Sequence, residues 1–208
     1  MPAAIHRLPP RRPRQNWQSA DHARRKQMIV ETGIELLRRK GLKGVSIRAV
    51  AQRLGVGAMT LYTYIDGQDG LRLAMTQHGF DLMASGCRDA STLGTPQGWR
   101  GGAKHYLRFA LENPHLYKLM FATRIDQSAA DEQILRRGFQ PLLERVKEQM
   151  TLQGVPANQI ERNALLFAGR YWIALHGLAS LAIAGRLGVL DADLDQLLDS
   201  LVERVAPT

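Results

Sequence analysis

The stretch Val45–Leu71 constrains this chain more than any other; it reads VSIRAVAQRLGVGAMTLYTYIDGQDGL. Ser46 suits a helix N-cap, and Ile47, Val50, Ala51 and Leu54 then mark one helical face. Gly55-Val56-Gly57 breaks that helix, and a short helix follows over roughly Ala58–Ile65 with Met59, Leu61, Tyr62 and Ile65. Asp66-Gly67-Gln68-Asp69-Gly70 reads as a turn cluster ahead of a longer helix, about Leu71–Cys87. Helix, tight glycine turn, helix is the frame in which a second helix lies in a major groove while the first crosses the backbone. Ile47, Val50, Leu54, Val56, Leu61 and Ile65 would hold the crossing, with the small Ala51 where the helices approach. Many helical hairpins share this pattern, so by itself it leaves the function open.

Charge singles out the same end. The formal net charge is +9, yet residues 1–58 hold thirteen Lys/Arg against three Asp/Glu, and the remainder fifteen against sixteen. A basic end on a near-neutral body suits a polyanion partner, or a solvated face with a loose tail. Over residues 1–20, Pro2, Pro9, Pro10 and Pro13 alternate with Arg7, Arg11, Arg12 and Arg14. This predicts a flexible basic arm without regular helix, able to reach a minor groove or serving only as a leader. The start lacks an apolar secretory segment and Cys87 is the single cysteine, so a cytoplasmic protein is expected.

Every other segment reads helical. Asp21–Lys40 carries Ile29, Gly33, Leu36 and Leu37 at helical spacing and stops at Gly41. Thr95-Pro96 and Asn113-Pro114 are start signals, followed by Trp99, Ala103, Tyr106, Leu107 and Ala110 and by Leu116, Tyr117, Met120 and Phe121. A helix over about Asp131–Gln153 contains Pro141, where a kink or break is expected. The next runs from Pro156 to about Ala184. Arg170, His176 and several glycines interrupt its apolar stretch, which reads as a buried helix rather than a membrane span, and no membrane partner is expected. The last, Asp191–Val205, carries a leucine stripe.

The expected fold is all-α with about nine helices: the arm over 1–20, a three-helix helix-turn-helix domain over 21–70, and a larger helical bundle over 71–208. No phosphate loop or catalytic motif occurs, and His78, His105, His115 and His176 are dispersed, so no enzyme, cofactor or metal site is expected.

The frame over Arg24–Leu71 resembles the DNA-binding domain of the tetracycline-repressor (TetR) family. It matches in Leu36-Leu37-x-x-x-Gly41, Ser46-Ile47-Arg48-x-Val50-Ala51, Leu54-Gly55-Val56 and Thr60-Leu61-Tyr62-x-Tyr64. The resemblance implies that Ala58–Ile65 is the recognition helix. It implies DNA-binding roles for Arg48, whose guanidinium can take guanine O6/N7 bidentately, and for Ala58 and Met59 as apolar base contacts. Thr60 and Tyr62 correspond to phosphate contacts, and Tyr64 and Gln68 complete the set. Two positions depart: Gly57 stands where Ser or Thr is common, and Gln68 where most members carry a phosphate-binding lysine. From the residues alone, a solvated side chain is the lesser alternative for Arg48, and packing on the first helix is the lesser one for Tyr62.

Further on, Tyr171-Trp172-x-x-x-His176-Gly177-Leu178-Ala179, with Asn113-Pro114-x-Leu116-Tyr117-x-Leu119-Met120-Phe121 upstream, is similar to a WHG-type TetR C-terminal domain. This implies a ligand-responsive transcriptional regulator: a homodimer on a double-stranded DNA operator, most simply a repressor, with a small-molecule effector of unknown identity. Trp99, Tyr106, Tyr117, Arg170, Trp172 and His176 are the candidate ligand contacts, being polar groups on apolar faces. Gly169, Gly177, Ala168, Ala174 and Ala179 make one helix small-sided, for a dimer interface with the last helix or for close packing within one subunit. A helical-bundle enzyme and a protein-interaction module are the alternatives.

Overall fold

The computed structural model describes residues 16–90, 95–122, 129–191 and 193–205. Among them every regular element is helical. The α-helices are α1 (Asn16–Ser19), α2 (His22–Lys40), α3 (Ile47–Leu54), α4 (Ala58–Tyr62), α5 (Gly67–Asp89), α6 (Pro96–Glu112), α7 (Pro114–Ala122), α8 (Ala129–Leu152), α9 (Ala157–Ile183) and α10 (Leu194–Val205). Short 3-10 turns lie at Leu42–Gly44 and Leu187–Leu190. The chain divides into two compact units between Thr76 and Gln77, a point inside α5.

In the first unit the caps fall where the sequence puts them. The Asp21 carboxylate accepts from the Arg24 amide (2.8 Å) and the Ser46 hydroxyl from the Ala49 amide (3.1 Å), each satisfying a helix-start donor. Gly41 closes α2, and Gly55, at φ 74, closes α3 in the left-handed region that glycine adopts without penalty. Ile29, Ile34, Leu37, Val50, Ala51, Leu61, Leu71 and Met75 form the core. Glu35 ties α2 to α3 through Arg53 (2.6 Å) and also pairs with Arg39 (2.9 Å).

Two differences from expectation have local causes. Helix α5 starts at Gly67, four residues before the expected Leu71. Gln68 anchors its first turn, with Nε2 donating to the Val45 carbonyl (2.9 Å) and Oε1 accepting from the Ile47 amide (3.3 Å). Tertiary hydrogen bonds thus override the turn propensity of the segment. Helix α1 lies where the proline-rich composition argues against helix; the last proline is Pro13, and Trp17 is buried. Residues 1–15 of the expected arm lie outside the described residues.

The second unit packs α9 against α6, α8 and α10. Ala164, Ala168, Tyr171, Leu175 and Ala179 form the inward face of α9, meeting Trp99, Ala103, Tyr106 and Leu107 of α6 and Leu143 and Val146 of α8 in the core. Helix α10 buries Leu198 and Val202, and Asp199 and Asp195 pair with Arg100 and Lys104 of α6. Helix α8 runs unbroken through Pro141, so of the expected kink or break the break does not occur. The missing amide of Pro141 forfeits one helical bond, a loss that α8, packed along α9, absorbs.

The expectation that α9 is buried and too polar to span a bilayer is corrected. By length and composition alone it is apolar enough to cross a membrane, with mean hydropathy 1.3 over its best 18-residue window, of which 28% is buried. The reason is that one face only is covered within the chain. Ile173 is 69% exposed and Leu166 59%, and Leu165 and Leu181 are exposed as well.

Candidate nucleic-acid interface and effector cavity

Helix α4 is five residues long and buries Leu61, which fixes it against α3. Its other side chains point away from that anchor. Met59 is 78% and Tyr62 53% exposed, Thr60 is exposed, and Ala58 is half-buried. On the first turn of α3, Arg48 is exposed. Tyr62 thus leaves about half of its surface open to solvent. Gly57 caps α4 without a side-chain hydrogen bond, as its lack of a hydroxyl dictates.

Tyr64 and Gln68 sit differently from the other five. The Tyr64 hydroxyl accepts from Arg25 Nη1 (3.0 Å), and its ring meets Trp17 edge-on (5.6 Å) and His22 (4.7 Å). Arg25 also donates to the Trp17 and Gln18 carbonyls. Tyr64 thus holds α1 to the start of α2. Gln68, standing where a phosphate-binding lysine is usual, spends its amide on Val45 and Ile47. The role of Gln68 at the start of α3 lies outside any local pattern; its spacing of 21–23 residues from its partners gave no signal.

In the second unit a cavity of about 80 Å³ lies among α5, α6, α8 and α9. Trp99 and Tyr106 line it, joined by Met83, Cys87, Leu142 and Arg145. Tyr117 is one bond away: its hydroxyl lies 2.9 Å from that of Tyr106 and 2.8 Å from His176 Nδ1. Trp172 packs against Phe121 and Phe139. Arg170 does not line the cavity; it is exposed, over the Phe167 ring at 5.6 Å.

Burial sets the protonation of this cluster. It pushes the Tyr117 phenol up to about 12, and that of Tyr106 further, so both hydroxyls stay neutral donors. The Cys87 thiol is likewise pushed up to about 12 despite the nearby Arg88, which leaves it unreactive at neutral pH. His176 is held below the ordinary imidazole value by burial, so its ring is neutral and accepts or donates one bond on each nitrogen. Arg145, which sequence reasoning missed, interrupts the stripe Leu142, Val146, Gln149 of α8; in a run such as LLERVKEQM a lone arginine looks like solvated surface.

Two family models match this sequence: bacterial regulatory proteins of the tetR family over residues 29–75, and the tetracyclin repressor-like C-terminal domain over residues 99–205. The chain belongs to the tetracycline-repressor family. It is a helix-turn-helix transcriptional regulator, and the family and its relatives are regulators rather than enzymes.

Among relatives, the uncharacterized HTH-type regulator YobS of Bacillus subtilis (strain 168) is 28% identical over 93 residues, covering 44% of this chain. That match spans about half of YobS, 49% of its length. The uncharacterized HTH-type regulator Rv0681 of Mycobacterium tuberculosis is 25% identical over 189 residues, 87% of this chain and 79% of that protein. A TetR-family regulator from Streptomyces coelicolor shares the fold at TM-score 0.69 and 19% identity, covering 88% of this chain and 79% of its own. A Rhodococcus sp. RHA1 protein of unknown function does so at TM-score 0.70 and 19% identity, covering 93% and 100%.

Proposed function

We propose that this TetR-family protein is a repressor that binds an operator as a homodimer through α3 and α4 and is released when a small molecule occupies the α5–α6–α8–α9 cavity. The observation that carries the DNA reading is α4 itself. A five-residue helix anchored by Leu61 leaves Met59, Thr60 and Tyr62 to solvent, with Arg48 exposed on the preceding helix. Arg48 reads a guanine, Met59 and Ala58 offer apolar contact to thymine methyls, and Thr60 and Tyr62 donate to phosphates. In the structure as it stands Gln68 and Tyr64 act as positioning residues: the first holds the start of α3, the second holds α1.

The dimer reading is supported by the uncovered face of α9. A Cβ built on Gly169 or Gly177 meets no atom within 4 Å, so these glycines serve no close approach inside the subunit. Ala168 and Ala179, by contrast, are fully buried within it. The small residues therefore divide between two faces, and the outward one, with Leu166 and Ile173, is the self-complementary surface of a two-fold pair.

The test is selection of double-stranded fragments from a random pool, followed by gel-shift titration. A preferred two-part sequence is expected, and Arg48→Ala with Tyr62→Ala lowers its affinity at least tenfold. Equal affinity for selected and random DNA ends the operator reading.

A further inference from the structure

The wall of the cavity is charged with one sign only. Arg88 and Arg145 line it, and no aspartate or glutamate does. Most of the remaining lining is apolar: Met83, Ala84, Pro141, Leu142 and Leu175. The polar groups of the wall are spent on the protein. Tyr171 donates to the Trp99 carbonyl (2.9 Å), Tyr106 bonds Tyr117, and the Cys87 thiol reaches the Gly102 carbonyl (3.5 Å). What is left over are donors. Arg145 Nε and Nη2 and Trp99 Nε1 are shielded from water and make no hydrogen bond. The Arg145 guanidinium lies 5.8 Å from the Trp99 ring centre.

Two shielded guanidinium nitrogens without an acceptor are costly, and the cost is relieved by an acceptor that carries negative charge. Burial also lowers the affinity of Arg145 for its proton, with Glu148 opposing through space. Among the described residues no carboxylate forms an ion pair with it. A planar fork of donors matches a carboxylate better than a point charge or a neutral oxygen.

We propose that this cavity takes a small organic anion, an aromatic or aliphatic carboxylate, with Arg145 gripping the carboxylate and Trp99, Tyr106, Met83 and Leu142 enclosing the apolar body. The inference rests on the effector-responsive reading above and names the chemical class of the effector. A volume of about 80 Å³ holds roughly six water-sized positions, which limits the body to about one ring or a short branched chain.

Titration calorimetry on the full chain tests it with sodium benzoate, uncharged benzamide of the same shape, and cationic benzylamine, with operator release followed in parallel. Benzoate is expected to bind at least tenfold more tightly than benzamide, and benzylamine not at all. Arg145→Gln removes the preference for benzoate, and Arg145→Lys keeps part of it. Circular dichroism verifies that each variant is folded; if Arg145→Gln is not, the wild-type contrast and Arg145→Lys decide. Equal binding of benzoate and benzamide, an undiminished preference in a folded Arg145→Gln protein, or no binding by any probe overturns the assignment. If both neutral and anionic probes release the operator equally, the effector reading survives and the anion assignment fails. If benzoate is preferred and no operator is released, the reverse holds.

Discussion

Gly177→Leu separates the two roles that a glycine in mid-helix can have. Gly177 is exposed on α9, and a Cβ there meets nothing within 4 Å. Within one subunit the substitution therefore costs no contact and gains helix propensity, about 0.8 kcal/mol. Across a two-fold axis at this face the sign reverses. Each subunit contributes one added side chain to a surface where helices approach closely, and overpacking costs about 1–3 kcal/mol per site. Two sites give about 2–6 kcal/mol, a rise in dimer dissociation constant of at least about thirtyfold. Light scattering behind size-exclusion chromatography over a dilution series measures the dissociation. Melting of the monomer-only fractions measures the propensity gain, at a fixed protein concentration because a dimer's melting temperature depends on it. An unchanged dissociation constant with a raised melting temperature would refute the placement of the interface on this face of α9.

Three further outcomes follow from the same geometry. Gly57→Ser supplies the missing cap of α4: its φ is −68 and the nearest atom to a new Cβ is Thr60 Oγ1 at 3.7 Å, so a gain of about 0.5–1 kcal/mol in denaturant midpoint stability is expected. Gln68→Lys restores the usual residue but loses the acceptor for the Ile47 amide; stability drops by about 1 kcal/mol while the slope of log affinity against log salt steepens by about one. Because the folded value of His176 is depressed, the unfolded chain takes up this proton first. Its contribution is complete above the ordinary imidazole value of 6.5 and is lost as pH falls from there through the lower folded value, so His176→Gln flattens the stability profile in that window.

How much could be read in advance depends on how far apart the responsible residues lie. Ser46 and Thr95 accept from amides three residues on, and Gly41 and Gly55 donate their amides to carbonyls within four residues, so these helix ends were legible. The start of α5 was not, because Gln68 works across a gap of more than twenty residues. Periodicity marks a face as apolar without saying what covers it. The inward stripe Ala164, Ala168, Tyr171, Leu175 and the outward Leu166, Ile173, Leu181 look alike in sequence, and only packing tells them apart. Trp99 and Tyr106 were legible as cavity residues since aromatics on an apolar stripe are few. Arg170 and Arg145 were indistinguishable there; three-dimensional position puts the first outside the cavity and the second in its wall.

The sparse reading surface bears on why this regulator would need two copies. Of the candidate DNA contacts Arg48, Ala58, Met59, Thr60 and Tyr62, Arg48 is the one able to make a bidentate bond to a base, worth about 1–3 kcal/mol of discrimination. Met59 and Ala58 add contact without directional bonds, and Gln68 is occupied within the protein. A specific operator needs roughly 4–10 kcal/mol over random DNA. One subunit falls short of that range, and a pair doubles the discrimination into its lower part. On this arithmetic a monomeric variant such as Gly177→Leu should keep its salt-dependent grip on DNA while losing its preference among sequences, which a gel-shift with selected and scrambled fragments would distinguish from a general loss of binding.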